Sequence, residues 1–166
     1  MPDRRLSRRA FLRRAAAGAG LLAAPHVVRR SALGAPGVAP ASDRVTMGFI
    51  GTGGHGVDRN LRGFLALPDS GFAALCDVDA GCLDRGHKVA VQALEAKQRT
   101  AEAGSIFLTS DWRQVLDRRD IDAVMVSTPD HWHCLLYVAA IRAGKDVICE
   151  KPTYNVHEGR VLADTV

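Results

Sequence analysis

From Arg44 onward, short unbroken apolar runs alternate with segments whose apolar residues recur every three to four positions. The unbroken runs read as strands buried on both faces, and the recurring spacing reads as helices with one covered side. Val45 to Ile50 is the first predicted strand. Gly51 to Gly56 is a glycine-rich turn, after which Val57, Leu61, Phe64, Leu65 and Leu67 keep helical spacing until Pro68. Phe72 to Val78 is the second strand, and a long polar helix is predicted over 80–103. Ile106 to Leu108 is a brief third strand, and Asp111 is placed as the N-cap of a helix through Leu116. Ile121 to Ser127 is the fourth strand. A helix over 130–143 is expected to bury Leu135, Val138, Ala139 and Ile141 and to stop at Gly144, a residue suited to a left-handed helix end. Asp146 to Glu150 is the fifth strand, and Val156 to Val166 keeps helical spacing with Val161, Leu162 and Val166 on one stripe. Strands separated by helices in this way predict an α/β fold: a doubly wound parallel sheet covered on both faces.

Composition adds one domain with an extension rather than two: 166 residues, 47% hydrophobic and 24% charged. Of the 22 basic and 18 acidic side chains, eight arginines and one aspartate fall in residues 1–41, so residues 42–166 carry 14 and 17. The basic balance therefore belongs to a leader, and no basic face remains to argue for a nucleic-acid partner. The leader has a basic stretch, about ten small or apolar residues from Ala15 to Ala24, and an Ala39-Pro40-Ala41 cleavage-like site, the three parts of an export signal. Its core is far short of a membrane-spanning length, so no permanent membrane anchor is expected. Ser7-Arg8-Arg9-Ala10-Phe11-Leu12-Arg13 resembles the twin-arginine signal, which implies the twin-arginine export machinery as a partner and a periplasmic or other extracytoplasmic location. A basic surface tail is the competing reading. The boundary is placed after residue 41: leader and linker over 1–41, nucleotide domain over 42–166.

Gly51-Thr52-Gly53-Gly54-His55-Gly56 holds G-x-G-x-x-G between a predicted strand and a predicted helix, the context in which the pattern signals dinucleotide binding. Gly51 suits the tight turn, Gly53 lets backbone amides approach a pyrophosphate, and Gly56 lets helix and strand pack closely, while the helix N-terminus offers unpaired N–H groups. Asp77, at the end of the second strand, can accept hydrogen bonds from adenosine ribose hydroxyls and repels a 2′-phosphate. NAD is therefore favoured over NADP, with Arg62 and Arg85 as residues that could still receive a phosphate. A glycine turn that binds nothing is the alternative.

In an open parallel sheet, ligands lie beyond the carboxyl ends of the strands. After the fourth strand comes Ser127-Thr128-Pro129-Asp130-His131-Trp132-His133, and after the fifth Cys149-Glu150-Lys151-Pro152. With the glycine turn, these segments resemble the Gfo/Idh/MocA oxidoreductases (glucose-fructose oxidoreductase and inositol 2-dehydrogenase-like), whose Rossmann domain carries G-x-G-x-x-G, T-P-x-x-x-H and E-K-P in this order. The resemblance covers about residues 44–166. It implies cofactor contacts from Gly51, Thr52, Gly53, Gly54, His55, Gly56, Asp77, Ser127, Thr128, Pro129, His131, Glu150 and Lys151. It also implies a catalytic Lys151, whose ammonium can polarise a developing alkoxide or relay a proton, and sets His133 as either catalytic or an orienting residue.

The resemblance further implies a second α/β domain after the nucleotide domain, supplying the sugar or polyol pocket. The chain stops at Val166, where the sixth strand would follow, so a fragment inactive alone and a homo-oligomer at full length are expected. Hydride transfer between nicotinamide and a sugar or polyol hydroxyl is the first reading. Transient oxidation that enables glycoside cleavage, and a non-enzymatic dinucleotide-binding fragment, are the alternatives. His131, His133 and Cys134 are metal-ligand types without a second cluster, so no metal site is assigned. Cys76, Cys82, Cys134 and Cys149 are expected unpaired, with Cys76 and Cys149 on buried strands.

Overall fold

The computed structural model describes residues 39–166, and the leader reading lies outside these residues. Five strands form one sheet: β1 (Val45–Ile50), β2 (Ser70–Cys76), β3 (Phe107–Thr109), β4 (Ala123–Val126) and β5 (Asp146–Cys149). They lie in the order β3-β2-β1-β4-β5, and every neighbouring pair is parallel. The chain crosses from one side of β1 to the other between β3 and β4. The carboxyl ends of β1 and β4 therefore flank the switch point at which such sheets hold ligands.

The helices are α1 (Arg62–Ala66), α2 (Ala80–Ala96), α3 (Thr100–Ala103), α4 (Trp112–Leu116), α5 (His133–Arg142) and α6 (Val156–Thr165). Two apolar layers sandwich the sheet. One packs Phe49, Val57, Leu61, Leu65, Phe72, Leu75 and Leu94 together, and the other packs Ile50, Val115, Val124, Val126, Leu136 and Tyr137. Parallel strands buried on both sides account for the unbroken apolar runs of β1, β2 and β4.

The structure corrects four details of the sequence reading. The helix expected over 80–103 breaks after Ala96, where Gln98 takes φ 59° and Arg99 turns its side chain inward. Arg99 Nε and Nη2 donate to both oxygens of Glu102 at 2.8 and 2.5 Å, and Glu102 also accepts from the Phe72 N–H at 2.6 Å, so a partly buried ion pair ties the chain after the break to β2. Leu67 falls outside α1 and is exposed. The helix expected over 130–143 begins with a 3-10 turn, Asp130–Trp132, which shifts the phase: α5 buries His133, Leu136, Tyr137 and Ala140 and leaves Leu135 50% exposed. Cys149 is exposed, because β5 stands at the edge of the sheet. Gly144 takes φ 72°, and the Asp111 carboxylate accepts from the Arg113 N–H, as the sequence predicts for a left-handed helix end and an N-cap. Among the described residues no helix is long and apolar enough to cross a membrane.

Candidate functional site

The glycine turn is shaped by contacts that exclude side chains at two positions and by open space at two others. Gly51 has φ +95°, and a Cβ there would lie 2.6 Å from the Ser127 carbonyl carbon. A Cβ on Gly56 would lie 2.5 Å from the Gly51 oxygen. These two glycines let β1, the following helical turn and the end of β4 meet. Among the described residues, nothing beyond their own chain neighbours comes within 4 Å of the Cβ position of Gly53 or Gly54, so their bare faces answer no packing need there.

Thr52 ties this turn to Asp77. Its N–H and hydroxyl donate to Asp77 Oδ2 at 2.6 and 3.1 Å, while Asp77 Oδ1 accepts from the Asp79 N–H at 2.9 Å. Thr52 is itself buried against Gly86 of α2. The Asp77 carboxylate is thus held in one orientation just past β2, with room for a further acceptor bond. Asp79 has a different job: it caps α2 by accepting from the Cys82 N–H, and that bond holds its carboxyl below the usual range.

A cleft of about 560 Å³ runs from this acid to the end of β4. Gly51, Gly53 and Asp77 line it from the turn, and Ser127, Thr128 and Pro129 from the segment after β4. Val78, Trp112, Arg113 and Trp132 also line it and were missed by the sequence reading, in which Val78 belonged to a strand and the tryptophans to helix starts. Val78 is 88% exposed and Trp132 44%, apolar surface that no part of the described chain covers. The Arg113 guanidinium sits 4.4 Å over the Trp112 ring, within cation–π range. Arg85, considered for a phosphate, instead lies 3.9 Å from Asp58. Two thiols, Cys76 and Cys82, complete the wall. Burial and the nearby Asp77 push Cys76 up to about 12, and burial and Asp79 raise Cys82, so both are neutral lining groups at ordinary pH.

The remaining predicted residues gather beyond the cleft. Glu150 Oε1 accepts from Asn60 Nδ2 at 2.8 Å and from His55 Nε2 at 3.0 Å, and its carboxyl is held below the usual range first by the Asn60 bond and then by His55. The Asn60 amide also donates to Ser127 Oγ at 2.8 Å. His133 is 2% exposed, with Nε2 at 2.8 Å from the Thr128 carbonyl and Nδ1 at 2.8 Å from the Pro152 carbonyl. It joins the segments after β4 and β5, and its ring stacks on Tyr137, whose hydroxyl donates to the Glu150 carbonyl. Lys151 is exposed beside these residues, and its ammonium has no hydrogen-bond partner among the described residues. His131 is also exposed, 3.8 Å from Asp130, and does not line the cleft. Among the described residues no three His, Cys, Asp or Glu side chains converge as a metal site.

The cleft fits a dinucleotide. Gly53 and Gly54 leave amides approachable for a pyrophosphate, Asp77 is aligned for a ribose, and Thr128, which lines the cleft, has a buried hydroxyl with no hydrogen-bond partner among the described residues.

Comparison with known proteins agrees. A family model described as an oxidoreductase family with an NAD-binding Rossmann fold matches residues 45–166. A glycosyl hydrolase family 109 protein of Saccharopolyspora erythraea is 36% identical over 171 residues, covering 96% of this chain and 36% of that protein. An alpha-N-acetylgalactosaminidase of Shewanella oneidensis is 31% identical over 129 residues, 77% of this chain and 27% of its own. The chain thus spans about a third of the length of the curated relatives it matches. Among solved structures, scyllo-inositol dehydrogenase from Lactobacillus casei aligns with TM-score 0.60 at 22% identity, covering 74% of this chain and 33% of that one. A 3-ketoreductase from Actinomadura kijaniata, solved with NADP, aligns with TM-score 0.58 at 23% identity over 74% and 35% of the two chains. These structural likenesses establish the fold.

Proposed function

The chain belongs to the Gfo/Idh/MocA oxidoreductase family as its NAD-binding Rossmann domain, and from that premise we propose that the protein carrying it oxidises or reduces a sugar or polyol carbon. The observation that carries the reading is the shared cleft at the switch point. Gly53 with its bare face, the aligned Asp77 and Thr128 all line this one cleft of about 560 Å³. The bound nicotinamide supplies a hydride acceptor or donor. The chain's own residues do the rest. Asp77 binds ribose hydroxyls and disfavours a 2′-phosphate, so NAD is the preferred form. Lys151 Nζ, as the ammonium, donates a hydrogen bond to the reacting oxygen and steadies the charge that develops there, and in the reducing direction it supplies the proton that oxygen takes up. His133, buried between two backbone carbonyls, positions the segments that carry Thr128 and Lys151 rather than touching substrate.

Transient oxidation with glycosidic cleavage is a second reading, favoured by one observation: the curated relatives at 31–36% identity are named as glycosyl hydrolases of family 109 or an alpha-N-acetylgalactosaminidase. The full-length protein distinguishes the two when given NAD with sugars and polyols, and separately with chromogenic N-acetylgalactosaminides. Net NADH formation supports the first; aglycone release without net NADH supports the second; neither activity from folded protein contradicts both. Lys151→Ala is expected to lower turnover about 10²–10⁴-fold while NAD binding changes only slightly.

We also propose that the Ser7–Arg13 leader exports the protein already folded around its cofactor. Replacing Arg8 and Arg9 by Lys should retain the protein in the cytoplasm on cell fractionation; unchanged export would remove this reading.

A further inference from the structure

The turn that follows the glycines is not a regular α-helix. Residues Gly56–Leu61 form a π-helical turn before α1, its backbone hydrogen bonds spanning one residue more than those of an α-helix. Val57, Leu61 and Leu65 remain buried, so the wider turn does not cost the apolar face its contacts. What it changes is the polar side, where Asn60 is brought against the ends of two strands. The Asn60 amide nitrogen donates one hydrogen to Ser127 Oγ, just past β4, and the other to Glu150 Oε1, just past β5, both at 2.8 Å. A π turn is uncommon and recurs at functional sites, and here it places a single amide between the two segments beyond the cleft.

We propose that Asn60 is a positioning residue for Glu150 and the adjoining Lys151, a role that rests on the dinucleotide reading of the cleft. Its donation fixes one carboxylate oxygen, shared with His55 Nε2, and leaves Oε2 without a partner among the described residues, an acceptor free for the cofactor. Glu150 is anchored from below as well, since Tyr137 of α5 donates to its backbone carbonyl. The charged and titratable groups around this carboxylate are His55 from the glycine turn, Tyr137 from α5 and its neighbours Cys149 and Lys151. Because a carboxylate accepts and an amide N–H donates, the pair has a polarity that substitution can reverse.

Asn60→Asp sets two carboxylates against each other, and such a pair cannot both be ionised without repulsion. In the 166-residue chain, NAD affinity of this variant should fall about tenfold near pH ~8 and recover toward the parent near pH ~5, where the two groups share a proton. Adding Glu150→Gln restores a donor facing an acceptor, and affinity should return to within about threefold of the Glu150→Gln single variant at both pH values. The parent chain and the Glu150→Gln single variant are titrated alongside as controls. NAD binding by the parent, a pH-dependent loss in Asn60→Asp and rescue in the double variant support the proposal. Equal binding by parent and Asn60→Asp at both pH values overturns it and leaves the dinucleotide reading intact. A loss that is independent of pH and not rescued overturns the positioning role in favour of a merely structural one. A folded parent chain that binds no NAD overturns the dinucleotide reading, and this proposal with it.

Discussion

Gly51→Ala is expected to abolish NAD binding and to destabilise the domain, whereas Gly53→Ala should weaken binding and leave stability almost unchanged. The two substitutions add the same methyl group to the same turn, so any difference must come from what surrounds it. At Gly51 the backbone has φ +95°, a region that alanine occupies only under strain, and the new carbon would lie 2.6 Å from the Ser127 carbonyl carbon. That neighbour is backbone just past β4 and cannot swing aside. Relief requires β1 and β4 to part at the switch point, where Gly51 N–H donates to the Cys76 carbonyl and Ser127 N–H to the Ile50 carbonyl, both at 2.8 Å. A cost of about 2–4 kcal/mol is expected from strain and overpacking together. At Gly53 no described residue beyond its chain neighbours comes within 4 Å of the added carbon, so the methyl would meet only a bound pyrophosphate. Urea unfolding and NAD titration of both variants check the contrast. A Gly53→Ala chain that binds as the parent does would show that no ligand approaches that face.

Asp77→Ala carries the second large expectation, a loss of about tenfold or more in NAD affinity together with a smaller preference for NAD over NADP. The reason is the way the carboxylate is held. Three donors, the Thr52 N–H, the Thr52 hydroxyl and the Asp79 N–H, lock it before any ligand arrives, so a ribose hydroxyl meets an aligned acceptor. The same locking prevents the charge from turning away from a 2′-phosphate. Removal leaves the Thr52 hydroxyl and amide without their acceptor, and the turn keeps only its backbone tie to β2 through the Gly51 N–H and the Cys76 carbonyl. Calorimetric titrations with NAD and NADP separate the two effects: affinity for NAD should drop further than affinity for NADP. Equal loss for both would place Asp77 in the turn's architecture alone.

Much of this site could be read in the sequence because its constraints are local. The spacing of Gly51, Gly53 and Gly56 after an apolar run, with Asp77 closing the next run, reports turn geometry, close approach and a carboxylate at a strand end. The parallel sheet was legible for a related reason, since strands buried on both faces carry no polar alternation. What the sequence concealed depends on contacts between distant segments. Asn60 reads as one more polar residue on an exposed helix side, and only the π turn and the meeting of β4 with β5 bring it to Ser127 and Glu150. The phase of α5 depends on the 3-10 turn Asp130–Trp132, which the periodicity of Leu135, Val138 and Ile141 does not record. Likewise, the break at Gln98 follows from an ion pair between Arg99 and Glu102 that a run of good helix formers hides. His133 shows the same division: its spacing from Thr128 and Pro129 marks it as special, while its burial between two carbonyls decides in which sense.

The dinucleotide is expected in the cleft between Asp77 and Thr128. Backbone amide NMR of the 166-residue chain during an NAD titration tests it most directly. Saturable shifts are expected, largest at Gly53, Gly54, Val78 and Thr128. A folded chain with no shifts, or with shifts confined to residues away from the glycine turn and the segment after β4, would contradict it.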